Sequence, residues 1–248
     1  MLVGLAAALA KAKRADQLLP VIPIAIPELI SVTLHEAERA GRTLVLAVTN
    51  DAPEGTFDLA QVLLDRHPQV AGTALYYYHH THTHAVAEHV TDLAFDVAEL
   101  SAPELRTLQH EVLQTARHAT MLVSERFPHA NQLRLLAERQ VQAFTLPVLA
   151  PPIEGAKAST IDVSHLKGLI AELPAPLFAG PAIFGEHHLR SLKQAGVVGY
   201  WLGYEELHGA YLAGLRTGLR DRSQRNLATL RGPALLASSQ VLKRYLSL

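Results

Sequence analysis

The chain contains no cysteine. That excludes disulfides, thiolate zinc sites and a cysteine nucleophile together, so any metal site has to be built from His, Asp or Glu. An excess of charge of either sign is lacking too. The 22 basic side chains stand against 23 acidic ones, for a formal net charge of -1, which removes the electrostatic basis for nonspecific nucleic-acid binding. No uninterrupted apolar run reaches the roughly 18 residues that a membrane-spanning helix needs. The opening MLVGLAAALAKAKRADQLLP carries its basic residues behind the apolar run and not ahead of it. It reads as an amphipathic first helix instead of a signal peptide. Linker-like composition and short repeats are also missing. The expectation is a soluble, cytoplasmic protein of one domain, with neither nucleic acid nor membrane as partner.

What is present is an alternation. Short apolar runs rich in β-branched and aromatic residues recur at 21–26, 43–49, 72–78, 92–98, 119–124, 144–150, 176–180 and 197–203. Between them lie segments such as PELISVTLHEAERAG and GEHHLRSLKQAG, with apolar residues spaced for one helical face. Gly41 and Gly196 stand where C-terminal glycines of helices belong, and Ser101 ahead of Pro103 and Glu104 suits an N-cap. Nearly continuous apolar strands joined through helices predict an α/β fold whose parallel sheet is covered on both faces. About eight such units predict a closed (β/α)8 TIM barrel over 1–248 with extra helices at both ends. An open doubly wound sheet is the alternative.

One stretch carries chemistry on its surface. In ALYYYHHTHTHAVAEHV, residues 74–90, five of the fourteen histidines lie between His79 and His89. In barrels the reacting groups sit at the carboxyl ends of strands, and this cluster begins where the third strand ends. Extended, His80, His82 and His84 share a face; in a helix His80 and His84 are neighbours, as are His84 and Glu88. Zinc suits such a set, while solvent-facing loop histidines or a protonation-sensitive loop are the other readings. The HTH letters also match the H-x-H pair of metal-dependent hydrolase barrels, but that pair normally ends a first strand. On the third strand, Tyr76 and Tyr78 face opposite to Tyr77, and core packing is expected for them, with Tyr78 as the exception because it ends the strand. His187 and His188 read as exposed residues at a helix start. Trp201 reads either as barrel core or as a plug at a substrate position.

The last third of the chain, PLFAGPAIFGEHHLRSLKQAGVVGYWLGYEELHGAYLAGLR, resembles class II, metal-dependent fructose-bisphosphate aldolases in the order and spacing of their seventh strand, glycine-rich loop, helix, eighth strand and following helix. LRGPALLASSQVLKRYLSL is similar to that family's closing helix. PELISVTLHEAERAGRTLVLAVTND is similar, without a gap, to the family's first helix and second strand. The likeness covers both ends and, more weakly, the middle.

That resemblance implies site positions and also shows where they have changed. The family's third strand ends in HLDHG, whose Asp is the acid/base and whose second His binds metal; here the letters are YYYHH. His79 falls on the metal histidine. Tyr78 falls on the catalytic Asp, and a phenol with an unperturbed pKa of roughly 10 does not simply replace a carboxylate. Asp96 matches the Asp of MIDGS, Glu125 lies within one position of the Glu of VEAELG, and Glu154 matches the histidine of SHGAY. His79, Glu125 and Glu154 are thus the implied ligands for zinc or another divalent metal, with Asp96 and Tyr78 as candidates for the proton role. Ala179 replaces the seventh-strand metal histidine. Residues 180–182, GPA, replace the GGS whose backbone N–H groups hold a substrate phosphate, and Pro181 has no N–H to give. Trp201 and Tyr204 replace an Asn and a Thr that contact substrate. Gly180, Gly203 and Trp201 remain the candidate substrate-binding positions.

Two functional readings follow. The first is a divergent aldolase-like protein without ordinary aldolase activity, serving a binding or assembly role. The neighbouring tagatose-bisphosphate aldolases include a barrel-like subunit that supports a catalytic partner. The second is an active metal-dependent lyase acting on a sugar or sugar phosphate of altered specificity, by carbonyl polarisation and proton transfer. A homo-oligomer, or a complex with a partner subunit, is expected in either case, with the closing helix as a candidate interface.

Overall fold

The computed structural model describes residues 4–78, 93–96, 120–123, 141–148, 161–173, 175–182, 184–220 and 227–247. In chain order the elements are α1 (Gly4–Arg14), β1 (Leu19–Ile24), α2 (Glu28–Ala40), β2 (Val45–Thr49), α3 (Thr56–Arg66), β3 (Thr73–Tyr78), β4 (Leu93–Asp96), β5 (Thr120–Val123), β6 (Val141–Leu146), α4 (Val163–Glu172), β7 (Leu177–Ala182), α5 (Glu186–Ala195), β8 (Gly199–Leu202), α6 (Tyr204–Arg220) and α7 (Leu227–Leu246). This is a parallel α/β fold with a curled sheet. Each strand pairs in parallel with the next, and β8 returns to β1 with Trp201 opposite Val21. The sequential order separates it from a doubly wound sheet, whose order reverses at a switch point.

Two apolar layers explain why the strands read as nearly continuous hydrophobic runs. Successive side chains of a strand point to opposite faces. One set, including Ile22, Leu46, Ala74, Phe144, Ala179 and Tyr200, packs with the apolar faces of the helices: Ile30 and Leu34 of α2, Phe57 of α3 and Leu192 of α5. The other set, Val21, Ala47, Leu75, Tyr77, Met121, Ala143, Phe178 and Trp201, packs on itself and on Leu5, Ala8 and Ala12 of α1. The first helix therefore closes the interior with its apolar stripe, as its amphipathic pattern predicts. Space inside is tight. A Cβ on Gly199 would overlap the Phe178 ring, so the glycine makes room for that side chain.

The ends of the elements follow their sequence signals where these lie within the described residues. Gly41 and Gly196 adopt left-handed conformations (φ 62° and 93°) and end α2 and α5. Ser101 lies outside the described residues. The sixth strand differs from expectation: it runs over Val141–Leu146 and not 144–150. Pro147 cannot donate to a ladder, while Val141 already pairs with Thr120. The long α6 and α7 pack together through small residues. Gly214 lies so near the backbone of Pro233 and Ala234 that a Cβ there would fall 2.5 Å from both, and Ser239 of α7 donates to the nearly buried Glu36 of α2 at 2.6 Å.

Candidate functional site

Two of the residues expected in the site fall at the carboxyl ends of strands. Tyr78 ends β3 and Asp96 ends β4, adjacent strands in which Tyr78 pairs with Phe95. His79, Glu125 and Glu154 lie outside the described residues. Among the described residues, no group of three or more His, Asp or Glu is arranged to hold a metal ion. Ala179, at the position matched to a metal histidine, is fully buried in the helix-facing layer. A side chain at that position is directed away from the interior.

The β7–β8 end is where the resemblance places phosphate binding, and here the backbone closes on itself. The Gly203 N–H donates to the Ala182 carbonyl at 2.9 Å. Gly180 has φ of 118°, and a Cβ on it would fall 2.5 Å from the Trp201 carbonyl oxygen, so glycine is needed for the strands to approach. Pro181 adds no donor. The helix N-termini that follow carry carboxylates in their first turns, Glu186 on α5 and Glu205 with Glu206 on α6. These complement the positive helix ends; Glu186 pairs with Arg190 and Glu206 with Arg244, which leaves Glu205 to oppose an anion at the start of α6. His188 is 7 % exposed, against the expectation of an exposed residue: it turns back over the start of α5, where its Nδ1 accepts from the Gly185 N–H at 3.0 Å. His187 is exposed as expected. Trp201 fills the interior at 1 % exposure, with its ring centroid 4.9 Å from that of Tyr77. Tyr76 faces the other way and packs on Phe57, so the alternation expected for these two tyrosines holds.

A second group lies beside β1, at the start of α6. The His208 ring stacks on Tyr204 at 3.8 Å. Its Nε2 accepts from the Ala25 N–H at 3.2 Å and its Nδ1 lies 2.8 Å from the Tyr204 carbonyl. Because a backbone N–H can only donate, Nε2 is bare and Nδ1 carries the proton, which makes the imidazole neutral. Burial lowers its pKa below the ordinary 6.5, against upward contributions from the Tyr204 hydrogen bond and the Asp51 carboxylate. Burial, and then Asp51, also raise the Tyr76 and Tyr204 phenols.

Comparison with solved structures gives the same architecture. The chain superposes on the YdjI aldolase of Escherichia coli K12 with a TM-score of 0.70 at 11% identity, covering 100% of this chain and 95% of that one. It superposes on a fructose-bisphosphate aldolase of Campylobacter jejuni with a TM-score of 0.62 at 13% identity, covering 96% and 90%. The fold is that of these aldolases. No family model and no curated protein sequence matches the chain.

Sequence reasoning marked Tyr204 as a changed substrate position but passed over His208 and Asp51. The spacing of Tyr204 and His208 on one helix face was readable, but Ala25 is 183 positions away. The lowered pKa has a signed consequence. The unfolded chain takes up the His208 proton at a higher pH than the folded one, so this residue's contribution is constant above pH 6.5 and stability falls as pH drops below it towards the folded value. Melting temperatures between pH 7.5 and 5 should decline less in His208→Gln than in the wild type. Equal slopes would mean that His208 does not titrate in this way.

Proposed function

We propose that this chain is a single-domain (β/α)8 barrel of the class II aldolase type that has lost fructose-bisphosphate cleavage and serves a binding or assembly role. The observation that carries this reading is the β7–β8 end. There the Gly203 N–H is engaged with Ala182, Pro181 supplies none, and the start of α6 carries Glu205 and Glu206. A doubly phosphorylated sugar would meet carboxylates where it needs donors. Cytoplasmic location and assembly into a homo-oligomer, or with a partner subunit, belong to the same reading. The test is a coupled assay for triose phosphate release from fructose 1,6-bisphosphate, using zinc-loaded protein. No turnover above the protein-free blank is expected; turnover at rates of about 1 s⁻¹ or more, ordinary for an enzyme, would overturn the reading.

A metal-dependent lyase acting on another sugar or sugar phosphate is the second reading. It is favoured by the placement of Tyr78 and Asp96 at the carboxyl ends of neighbouring strands, where barrel chemistry resides. One imidazole and two carboxylates, from His79, Glu125 and Glu154, suit zinc by donor type. Zinc held there would supply Lewis-acid polarisation of a carbonyl, with Asp96 or Tyr78 handling the proton and Gly180, Gly203 and Trp201 bordering the substrate. Elemental analysis after zinc reloading should then give near-stoichiometric metal that falls in both His79→Ala and Glu154→Ala. Protein that stays folded and metal-free sinks this reading.

A further inference from the structure

A groove of about 380 Å3 lies on the helix-facing side of β8, bounded by the turn before β1, Arg42 just after α2, helix α5 and the end of α7. Its floor is apolar: Leu18, Leu189 and the ring of Tyr200, the last two 5 % and 3 % exposed. The Tyr200 hydroxyl is turned away to donate to the Tyr245 carbonyl at 2.9 Å and its ring packs edge-on against Phe184, so the partly exposed Leu18 offers most of the apolar surface. At the rim, Arg190 pairs with Glu186 within one helix, and Lys193 reaches Asp16 at 2.7 Å. Both pairs are largely exposed and readily exchanged for a ligand.

Arg42 differs from them. It is half-buried, and its Nε donates to the Leu246 carbonyl at 2.9 Å. That bond fixes the guanidinium plane at the groove, while the Nη donors have no hydrogen-bond partner among the described residues. An arginine held through Nε presents Nη1 and Nη2 as a fork matched to the two oxygens of a carboxylate. The charges lining the groove are Arg42, Arg190 and Lys193 against Asp16 and Glu186. The balance, three positive less two negative, favours a singly charged anion over a phosphate dianion. The volume falls within the range of small-molecule sites.

We propose that this groove binds a small carboxylic acid with an apolar body, its carboxylate on the Arg42 Nη fork and its body on Leu18. The site is separate from the strand ends and does not depend on the reading given above. Isothermal titration of the whole chain with benzoate tests it, with inorganic phosphate as the second probe. Benzoate should bind at millimolar concentration. Arg42→Gln should weaken it about tenfold or more, and Arg42→Lys, which keeps the charge but not the fork, should fall between. Because Arg42 also supports Leu246, the double change Arg190→Gln with Lys193→Gln provides an independent arm on exposed residues. It should weaken benzoate about two- to threefold and flatten the dependence on salt. Benzoate binding unchanged in Arg42→Gln, no benzoate binding at all, or phosphate binding tighter than benzoate would each overturn the proposal.

Discussion

Replacing Trp201 by alanine should lower the unfolding free energy by about 3–5 kcal/mol, the cost of deleting a large buried aromatic side chain. The expectation rests on geometry more than on residue type. Trp201 is 1 % exposed and belongs to the inner layer with Phe178, Met121 and Tyr77. Its ring is tilted 58° to Tyr77 at a centroid distance of 4.9 Å, an arrangement that adds about 0.5–1.5 kcal/mol beyond area burial. Gly199, two residues earlier on β8, leaves the space that Phe178 occupies, so the inner layer has been fitted around large side chains. Denaturant titration followed by circular dichroism measures the loss, since the chain's one tryptophan is absent from the variant. A loss below about 1 kcal/mol would place Trp201 among loosely packed groups. It would then return to consideration as a substrate contact, at the position where the aldolase resemblance has an asparagine.

The fold was legible because its signals are local and repeated. A strand covered on both faces needs apolar residues at every position, and VLAVT or TALYYY can hardly be read otherwise; Gly41 and Gly196 mark helix ends through their own φ. The site was less legible because matching letters preserves order but not facing. Ala179 aligns with a metal histidine, yet β7 turns it towards the helices, and the β7–β8 register shifts between Ala179 and Ala182. The buried His188 looked exposed for a similar reason: its acceptor role depends on a bend back to Gly185 that residue type alone does not reveal. His208 needed a partner from β1's far end of the sequence. Long-range contacts set these roles, and a single chain read in order contains no statement of them.

Gly180→Ala and Gly203→Ala should behave differently, and the contrast decides what these two glycines are for. Both coincide with positions that border substrate in the resembling family. In Gly180→Ala the new Cβ meets the Trp201 carbonyl oxygen at 2.5 Å, in a backbone with φ of 118° that L residues rarely adopt. Strain and steric displacement together should cost about 3 kcal/mol or more. Gly203 carries neither burden to that degree: its Cβ would lie 3.3 Å from the Ala182 carbonyl carbon, a tight contact that a shift of a few tenths of an ångström relieves, so about 1 kcal/mol or less is expected. Chemical denaturation of the two variants beside wild type gives both values in one experiment. A large loss for Gly180 with a small one for Gly203 identifies Gly180 as the residue that lets β7 approach β8, at the end where the aldolase resemblance implies phosphate binding. Small losses in both, coupled to weaker binding of a sugar phosphate, would instead return these glycines to a ligand and reopen the β7–β8 end as a binding site.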